Sequence, residues 1–374
     1  MRAARNILHL GVKELRSLLR DPIMLVLIVW AFTLSIYTAA TAMPETLNKA
    51  PIAIIDEDRS TLSMRIVDAF YPPYFLPPIL IGTAEMDARM DAGLDTFALY
   101  IPAGFQRDVL AGRRPAVQIN VDATRMSQSF TGSAYIQAIV NGEVNEFVQR
   151  HRGDGALPVE LTLRARFNPE LNQTWFGAVM ELVNRITMLS IILTGAALIR
   201  EREHGTVEHL LVMPVTPFEI MSGKVWAMAL VVLLSTAFAL GMVVQGMLAV
   251  PIEGSIALFL SGATLHLFAT TSMGIFLGTI ARTMPQFGLL MMMTLLPLQI
   301  LSGGMTPQES MPDVVRLVMQ AAPTTHFVTL SQAILYRGAG LSVVWPQLAA
   351  LAVIGTSLFM LSLARFRKTL ATMT

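Results

Sequence analysis

The stretch VWAMALVVLLSTAFALGMVVQGMLAVPI, Val225 to Ile252, carries no charge. It exceeds the roughly 20 apolar residues that a helix needs to cross the hydrocarbon core of a bilayer. Four more uncharged runs reach that length: Pro22 to Pro44, Gly254 to Ala281, Thr283 to Gln308 and Gly338 to Ala364. Ile186 to Ile199 is shorter. It becomes long enough if it starts near Phe176 and takes in Glu181 and Arg185, whose i, i+4 spacing lets them pair on one helix face. Without it the central region and the C-terminus would fall on the wrong sides. Six spans are therefore expected, spanning 22–44 and, near their apolar centres, 177–199, 225–250, 256–281, 284–302 and 342–364.

Composition agrees. Of 374 residues, 53% are hydrophobic and 14% charged, and the formal net charge is +1. The mean hydropathy is +0.57. Soluble chains are nearer a quarter charged. An ordinary soluble enzyme, a disordered chain and a nucleic-acid binder are excluded, because none combines such apolarity with so little net charge. The absence of cysteine removes disulfides, thiolate metal sites and cysteine nucleophiles, and is compatible with partial exposure to an oxidising compartment. The expected class is an α-helical polytopic membrane protein.

Basic residues set the orientation. With the N-terminus inside, the short cytoplasmic segments hold Arg2, Arg5, Lys13, Arg16, Arg20, Arg200, Arg202, Lys224, Arg282, Arg365, Arg367 and Lys368, against Arg316 and Arg337 outside. An arrangement with both termini inside follows. Residues 1–20 do not read as a cleavable signal peptide, because the apolar run after them is too long for an h-region; residues 1–21 make up the cytoplasmic elbow segment. Leu8, Val12, Leu15 and Leu19 form one helical stripe and His9, Lys13, Arg16 and Arg20 its neighbour. The reading is an amphipathic elbow helix (Lys13, Glu14, Arg16 and Arg20 its charged residues) in the inner interface, with the basic side toward lipid headgroups. It serves either as a topology anchor or as a grip for a partner.

Residues 45–175 read as an extracytoplasmic domain, with sixteen acidic against twelve basic residues and so no footprint for nucleic acid. Strand-like runs at Ile52 to Asp56, Thr96 to Ile101, Val117 to Val121 and Val159 to Arg166 alternate with helical stretches. Those stretches are Ser60 to Phe70, Ala84 to Ala92, Phe105 to Ala111 and Gln128 to Arg150. The alternation argues for a small α/β domain. Residues 176–374 then form the rest of the membrane domain.

The most charge-dense stretch of the membrane half is Arg200 to Pro217. It leaves an apolar face, Leu210 to Val212, that wants a protein groove at the cytoplasmic surface, unless it is only a solvated connector. REREHGTVEHLLVMPVTPFEIMSGK, Arg200 to Lys224, resembles the cytoplasmic loop of ABC-2 type transporter permeases, in which an E-x-G-T-x-E core followed by Pro and Lys precedes the third span. GVKELRSLLRDP (Gly11 to Pro22), PIAIIDEDRSTLS (Pro51 to Ser63) and LSGGMTPQESMPDVVRLVMQAAPTTHFV (Leu301 to Val328) fit the same family in the same order.

The resemblance implies a bacterial inner-membrane exporter subunit with a large periplasmic domain, associated with multidrug or small-molecule export. It also implies a homo- or heterodimer with separate cytoplasmic ABC ATPase subunits docked on the first inner loop and the elbow. Carried over, Arg200, Glu201, Arg202, Glu203, Gly205, Thr206, Glu208 and Pro214 form the contact. A periplasmic adaptor and membrane lipids are further partners. No G-x-x-x-x-G-K-[ST] occurs, and the only Gly-Lys, Gly223-Lys224, lacks the upstream glycine. This chain is therefore expected to be no enzyme and to hold no cofactor, with ATP and Mg on the partner. An ion-gradient-driven transporter and export of a lipid-linked or polysaccharide substrate are the alternatives. Visible repeats and membrane-buried carboxylates, usual in the former, are absent.

Other residues carry weaker signals. His204 and His209, five apart, miss the spacing that aims both rings at one metal. His266, mid-membrane, reads as a neutral histidine bonding a helix carbonyl, or else as a proton relay. Gly274 and Gly278 form a GxxxG that permits close helix contact. Phe287 and Met291 to Met293 read as ordinary packing or lipid-facing residues, or as an adaptable lining for varied substrates. Gly303, Gly304 and Pro307 interrupt the fifth span and suggest a re-entrant outer gate from Gly303 to Thr325. Asp56, Glu57 and Asp58 read as a turn before a helix cap at Ser60.

Overall fold

Asp21 and Thr216, each followed by proline, open two of the long helices. Asp21 Oδ1 accepts from the Met24 amide at 3.1 Å, and Thr216 and Glu219 form a reciprocal capping box. Such caps satisfy amides that would otherwise be orphaned, and proline costs nothing at a first helical position. The computed structural model describes residues 2–42, 49–122, 126–152, 173–203, 214–304, 306, 308 and 311–371, with the backbone alone for 42, 126–131, 151–152, 173 and 370–371. The chain divides into two compact units, Met1–Met43 with Ala165–Thr374, and Pro44–Arg164.

The first unit is helical. Its elements are α1 (Arg2–Leu19), α2 (Pro22–Phe32), α3 (Leu34–Ala42), α8 (Gln173–Glu203) and α9 (Pro217–Phe238), the last continued by a π-helical stretch, Ala239–Met247. Then come α10 (Ile256–Ile280), α11 (Met284–Ile300), α12 (Asp313–Gln320), α13 (Pro323–Leu335) and α14 (Leu341–Ala371). Among the described residues five helices are long and apolar enough to cross a membrane: Pro22–Thr41, Thr174–Glu203, Pro217–Met247, Ile256–Ile280 and Leu341–Thr369. The run expected as the fifth span is α11, at 17 residues. That is about 25 Å of helix against a hydrocarbon core of roughly 30 Å.

α8 is the axis of this unit. It packs on α3, α9, α10, α11 and α13. Gly274 and Gly278 of α10 face it: a Cβ on Gly274 would lie 2.6 Å from the Ile191 carbonyl, and one on Gly278 would lie 3.2 Å from Leu198. The GxxxG therefore packs within the chain. Two boundaries differ from expectation. The span expected to begin at Val225 begins at Pro217, because the Thr216 cap and Pro217 set the start before the uncharged run does. The first span is interrupted at Thr33, whose hydroxyl donates to the Val29 carbonyl and bends the chain there.

The second unit is α/β. A four-stranded sheet runs in the order β2 (Ile79–Leu80), β1 (Ile52–Asp56), β3 (Phe97–Ile101), β4 (Gln118–Val121). β1 is parallel to both neighbours, and β4 is antiparallel to β3 with Leu99 opposite Ile119. Helices α4 (Thr61–Asp68), α5 (Met86–Asp91), α6 (Phe105–Leu110) and α7 (Met126–Arg152) surround it. Ile52, Ile54, Leu62, Ile66, Phe97 and Leu99 form its core. Ser60 caps α4 through a box with Ser63. The short β2 was not anticipated beside Pro77 and Pro78, and the strand expected at Val159 to Arg166 lies outside the described residues.

Candidate functional site

Arg200 to Glu203 are not a loop: they form the last turn of α8. Successive helical side chains point about 100° apart, so four consecutive charges reach four directions. Arg200 pairs with Asp21, the cap of α2. Glu201 meets Lys13 of α1 at 2.6 Å and Lys224 of α9 at 2.7 Å. Arg202 donates to the Ala281 carbonyl at 2.7 Å, where a cation suits the exposed carbonyls ending α10. Glu203 accepts from the Met284 amide at 3.0 Å, where a carboxylate suits the start of α11. The end of α8 is tied to five other helices.

Its densest part is a four-charge cluster. Lys224 Nζ lies 2.9 Å from Glu14 as well, and Lys13 lies 3.5 Å from Glu14. The Lys224 side chain is 3% exposed and that of Glu14 7%. Two ammonium groups face two carboxylates, so the cluster is formally neutral, the condition under which charges survive burial. Glycines permit the approach: a Cβ on Gly11 would lie 2.1 Å from the Trp226 ring, and one on Gly223 2.8 Å from Leu10. Trp226 Nε1 donates to the Ile7 carbonyl at 3.1 Å, and Asn6 Nδ2 to Glu219 at 3.3 Å.

Several expectations are corrected here. Lys224, assigned to a short cytoplasmic segment, is buried within α9. The buried face of α1 is Gly11, Glu14 and Leu18, while Leu8 and Leu19 of the expected apolar stripe are exposed. Of the basic stripe, Lys13 turns into the cluster; Arg16 and Arg20 are exposed and outside it. Gly205, Thr206 and Glu208, with His204 and His209, lie outside the described residues; Pro214 is exposed just before the Thr216 cap. Asp21, Asn6 and Trp226 went unnoticed, although Asp-Pro at 21–22 and Thr-Pro-x-Glu at 216–219 are helix-start signatures.

A second polar constellation lies deeper. Thr187 Oγ1 of α8 is 2.8 Å from His266 Nε2 of α10, and Ser190 Oγ donates to Thr270 Oγ1 at 2.7 Å. The His266 ring stacks on Phe327 of α13, centroids 4.1 Å apart. Its side-chain partner is thus the Thr187 hydroxyl. Glu181 and Arg185 pair along α8, with Arg185 over the Trp30 ring. Phe287 is buried over Gly195, whereas Met292 and Met293 are exposed. Gly303 has a left-handed φ of 93° that favours glycine, Gly304 lies against Met180, and Pro307 is outside the described residues. Among the described residues no group of three or more His, Asp or Glu could hold a metal.

A membrane bundle whose charges gather at one turn is matched by a known family pattern, that of the ABC-2 family transporter protein, over residues 22–364. The chain belongs to the ABC-2 transporter family. It is 63% identical over 373 residues to the inner membrane transport permease YhhJ of Escherichia coli (strain K12), covering 100% of both chains. It is 26% identical over 360 residues to the probable multidrug ABC transporter permease YbhR of the same organism, covering 95% of this chain and 96% of that one. The probable multidrug ABC transporter permease YbhS is likewise 26% identical, over 345 residues and 89% of each chain. Its class is that of a transport permease.

Proposed function

We propose that this chain is the membrane-spanning subunit of an ATP-driven exporter in the bacterial inner membrane, energised by a separate cytoplasmic ABC ATPase and working as a homo- or heterodimer. In this reading α11 counts as a sixth span, both termini are cytoplasmic, and the α/β unit is periplasmic. The substrate is a small or drug-like molecule, in keeping with the names of YbhR and YbhS. Gly303 to Thr325 would form an outer gate, and the last turn of α8 with the segment that follows it, to Pro214, would receive the ATPase.

The observation that carries the reading is the connection of Glu201 to both Lys13 and Lys224. Force applied to the segment joining α8 and α9 would reach the elbow helix at once. Through Arg200, Arg202 and Glu203 it would also reach the ends of α2, α10 and α11. Buried ion pairs resist separation because parting them strands a charge away from water. No residue of this chain is asked to do chemistry.

The test is capture of the tagged full-length chain from its native membrane. A nucleotide-hydrolysing partner should accompany the wild type and be lost when Glu201 to Glu208 are replaced by alanine. Vesicles holding the permease alone should not transport. Solo translocation driven by a pH or sodium gradient would overturn the proposal.

A further inference from the structure

The α/β unit contains a cavity of about 1190 Å³. It opens to solvent, and drug-sized ligands occupy clefts of roughly 300–1,000 Å³, so the space admits one. One wall is the β3–β4 half of the sheet, with Leu99 and Ile119 side by side. Phe105 and Val109 of α6 form the floor, and α7 is the opposite wall. β1 is sealed, with Ile52 and Ile54 fully buried, but Val117, Ile119, Val140 and Val144 around the cavity are only half-buried. Here α7 closes on β3 at Gly132, against Phe97, and buries Ile136 and Phe147, but leaves the β4 side half-covered.

The lining has two chemistries in register. Ile136, Val140, Val144 and Val148 recur every fourth residue and make an apolar stripe on α7. Ser133, Gln137 and Asn141 recur at the same interval beside it and offer hydroxyl and amide groups. At the mouth, Arg113 and Arg114 follow Gly112, which holds a left-handed φ of 77°. Arg107 and Arg113 share Asp108, at 3.2 and 3.0 Å. Arg114 pairs with no acid among the described residues. Of the two arginines lining the cavity, one shares its acid with Arg107 and the other has none among the described residues, so the surplus is positive. A guanidinium fork suits carboxylate or phosphate.

We propose that this cavity binds an anionic amphiphile, its apolar body against the α7 stripe and its acidic head at Arg113 and Arg114. The site is internal to the α/β unit and does not rest on the coupling reading above, so either can fail alone.

The full-length chain in neutral nanodiscs is labelled with a diazirine-bearing dodecanoic acid, with the matching dodecyl phosphate and with the matching alcohol, and the label is mapped by mass spectrometry. The acid and phosphate probes should label peptides within 99–148. The stronger of the two identifies the head group preferred. Val140→Trp, which interrupts the apolar stripe at its middle, should lower that labelling for all three probes. Arg113→Gln with Arg114→Gln, on the exposed rim, should lower acidic-probe labelling by about tenfold, the loss of one charge-assisted contact, and leave the alcohol unchanged. Labelling confined to the long helices would overturn the proposal. So would acid and alcohol labelling that responds identically to the arginine variant, which stays informative if Val140→Trp misfolds.

Discussion

The centre of the helical unit and the rim of the α/β unit handle charge in opposite ways. In the helical unit Lys224 and Glu14 are buried, and each needs the other. In the α/β unit Arg65 meets Glu143 at 2.8 Å and Glu146 at 3.1 Å, with all three side chains between a quarter and a half exposed. Asp58 there is held mainly by backbone amides and a hydroxyl. Water can replace a lost partner at such a rim. It cannot do so beside Lys224, and solvated pairs contribute little. Similar distances therefore describe different energetics, and the buried cluster, unlike the rim pairs, can act as a joint.

The largest expected effect follows directly. Lys224→Met should destabilise the helical unit by about 3 kcal/mol, the lower end of the usual range for stripping one partner from a buried pair. The lower end applies because Lys13 remains within reach of both carboxylates. Adding Glu14→Leu should restore most of the loss, because the unpaired charge then disappears. Thermal unfolding of the four members of this cycle in one detergent measures the coupling. A double variant as unstable as the sum of the singles would break the contrast between units. Transport should stay defective in the restored double variant, since stability and transmission are separate demands.

A middle-sized effect isolates burial without charge. Thr187→Val keeps the shape of α8 and removes the hydroxyl beside His266. Hydrogen bonds between membrane helices average about 0.6 kcal/mol and reach roughly 1.7. The variant should fall in that interval when unfolded beside Lys224→Met. A loss as large as that of Lys224→Met would mean that burial alone, and not charge, makes the helical unit sensitive.

Much of this was legible in the sequence, and the failures share one cause. The uncharged runs locate the long helices because hydrocarbon tolerates little else, and the strands of the α/β unit follow their alternation. Charge was read as a mark of solvent. That rule put Lys224 in a loop, gave the whole of 200–203 to a partner's surface and counted Glu14 only among the charges of the elbow helix. Burial of a charge is decided by a partner distant in the chain: Glu14 and Lys224 are 210 positions apart. No local pattern encodes that distance, although the Thr216 cap would have placed Lys224 inside the helix. Gly11 was equally silent, since its role exists only against Trp226. The loop residues Gly205, Thr206 and Glu208 are known from resemblance alone.

The smallest effect concerns a carboxylate that no lysine holds. Burial pushes the Asp58 carboxyl up, but the Ser60 hydroxyl and the backbone amides of Gln106, Gly104 and Phe105 outweigh it and leave it below its ordinary value of 3.8. A depressed value in the folded state means that stabilisation is fully present above the unfolded value and is lost as pH falls through the folded one. The α/β unit should therefore lose stability on acidification from about pH 5 downward. Asp58→Asn should flatten that slope while costing little at neutral pH, because an amide oxygen can still accept from Gln106. Hydrogen exchange at the Gln106 amide of the full-length chain, followed against pH, reads the site directly. Protection with the same pH dependence in both chains would show that the amide cradle does not favour the charged form. Asp58 would then resemble the rim pairs around Arg65, and its charge would not matter to the fold in the way that of Glu14 does.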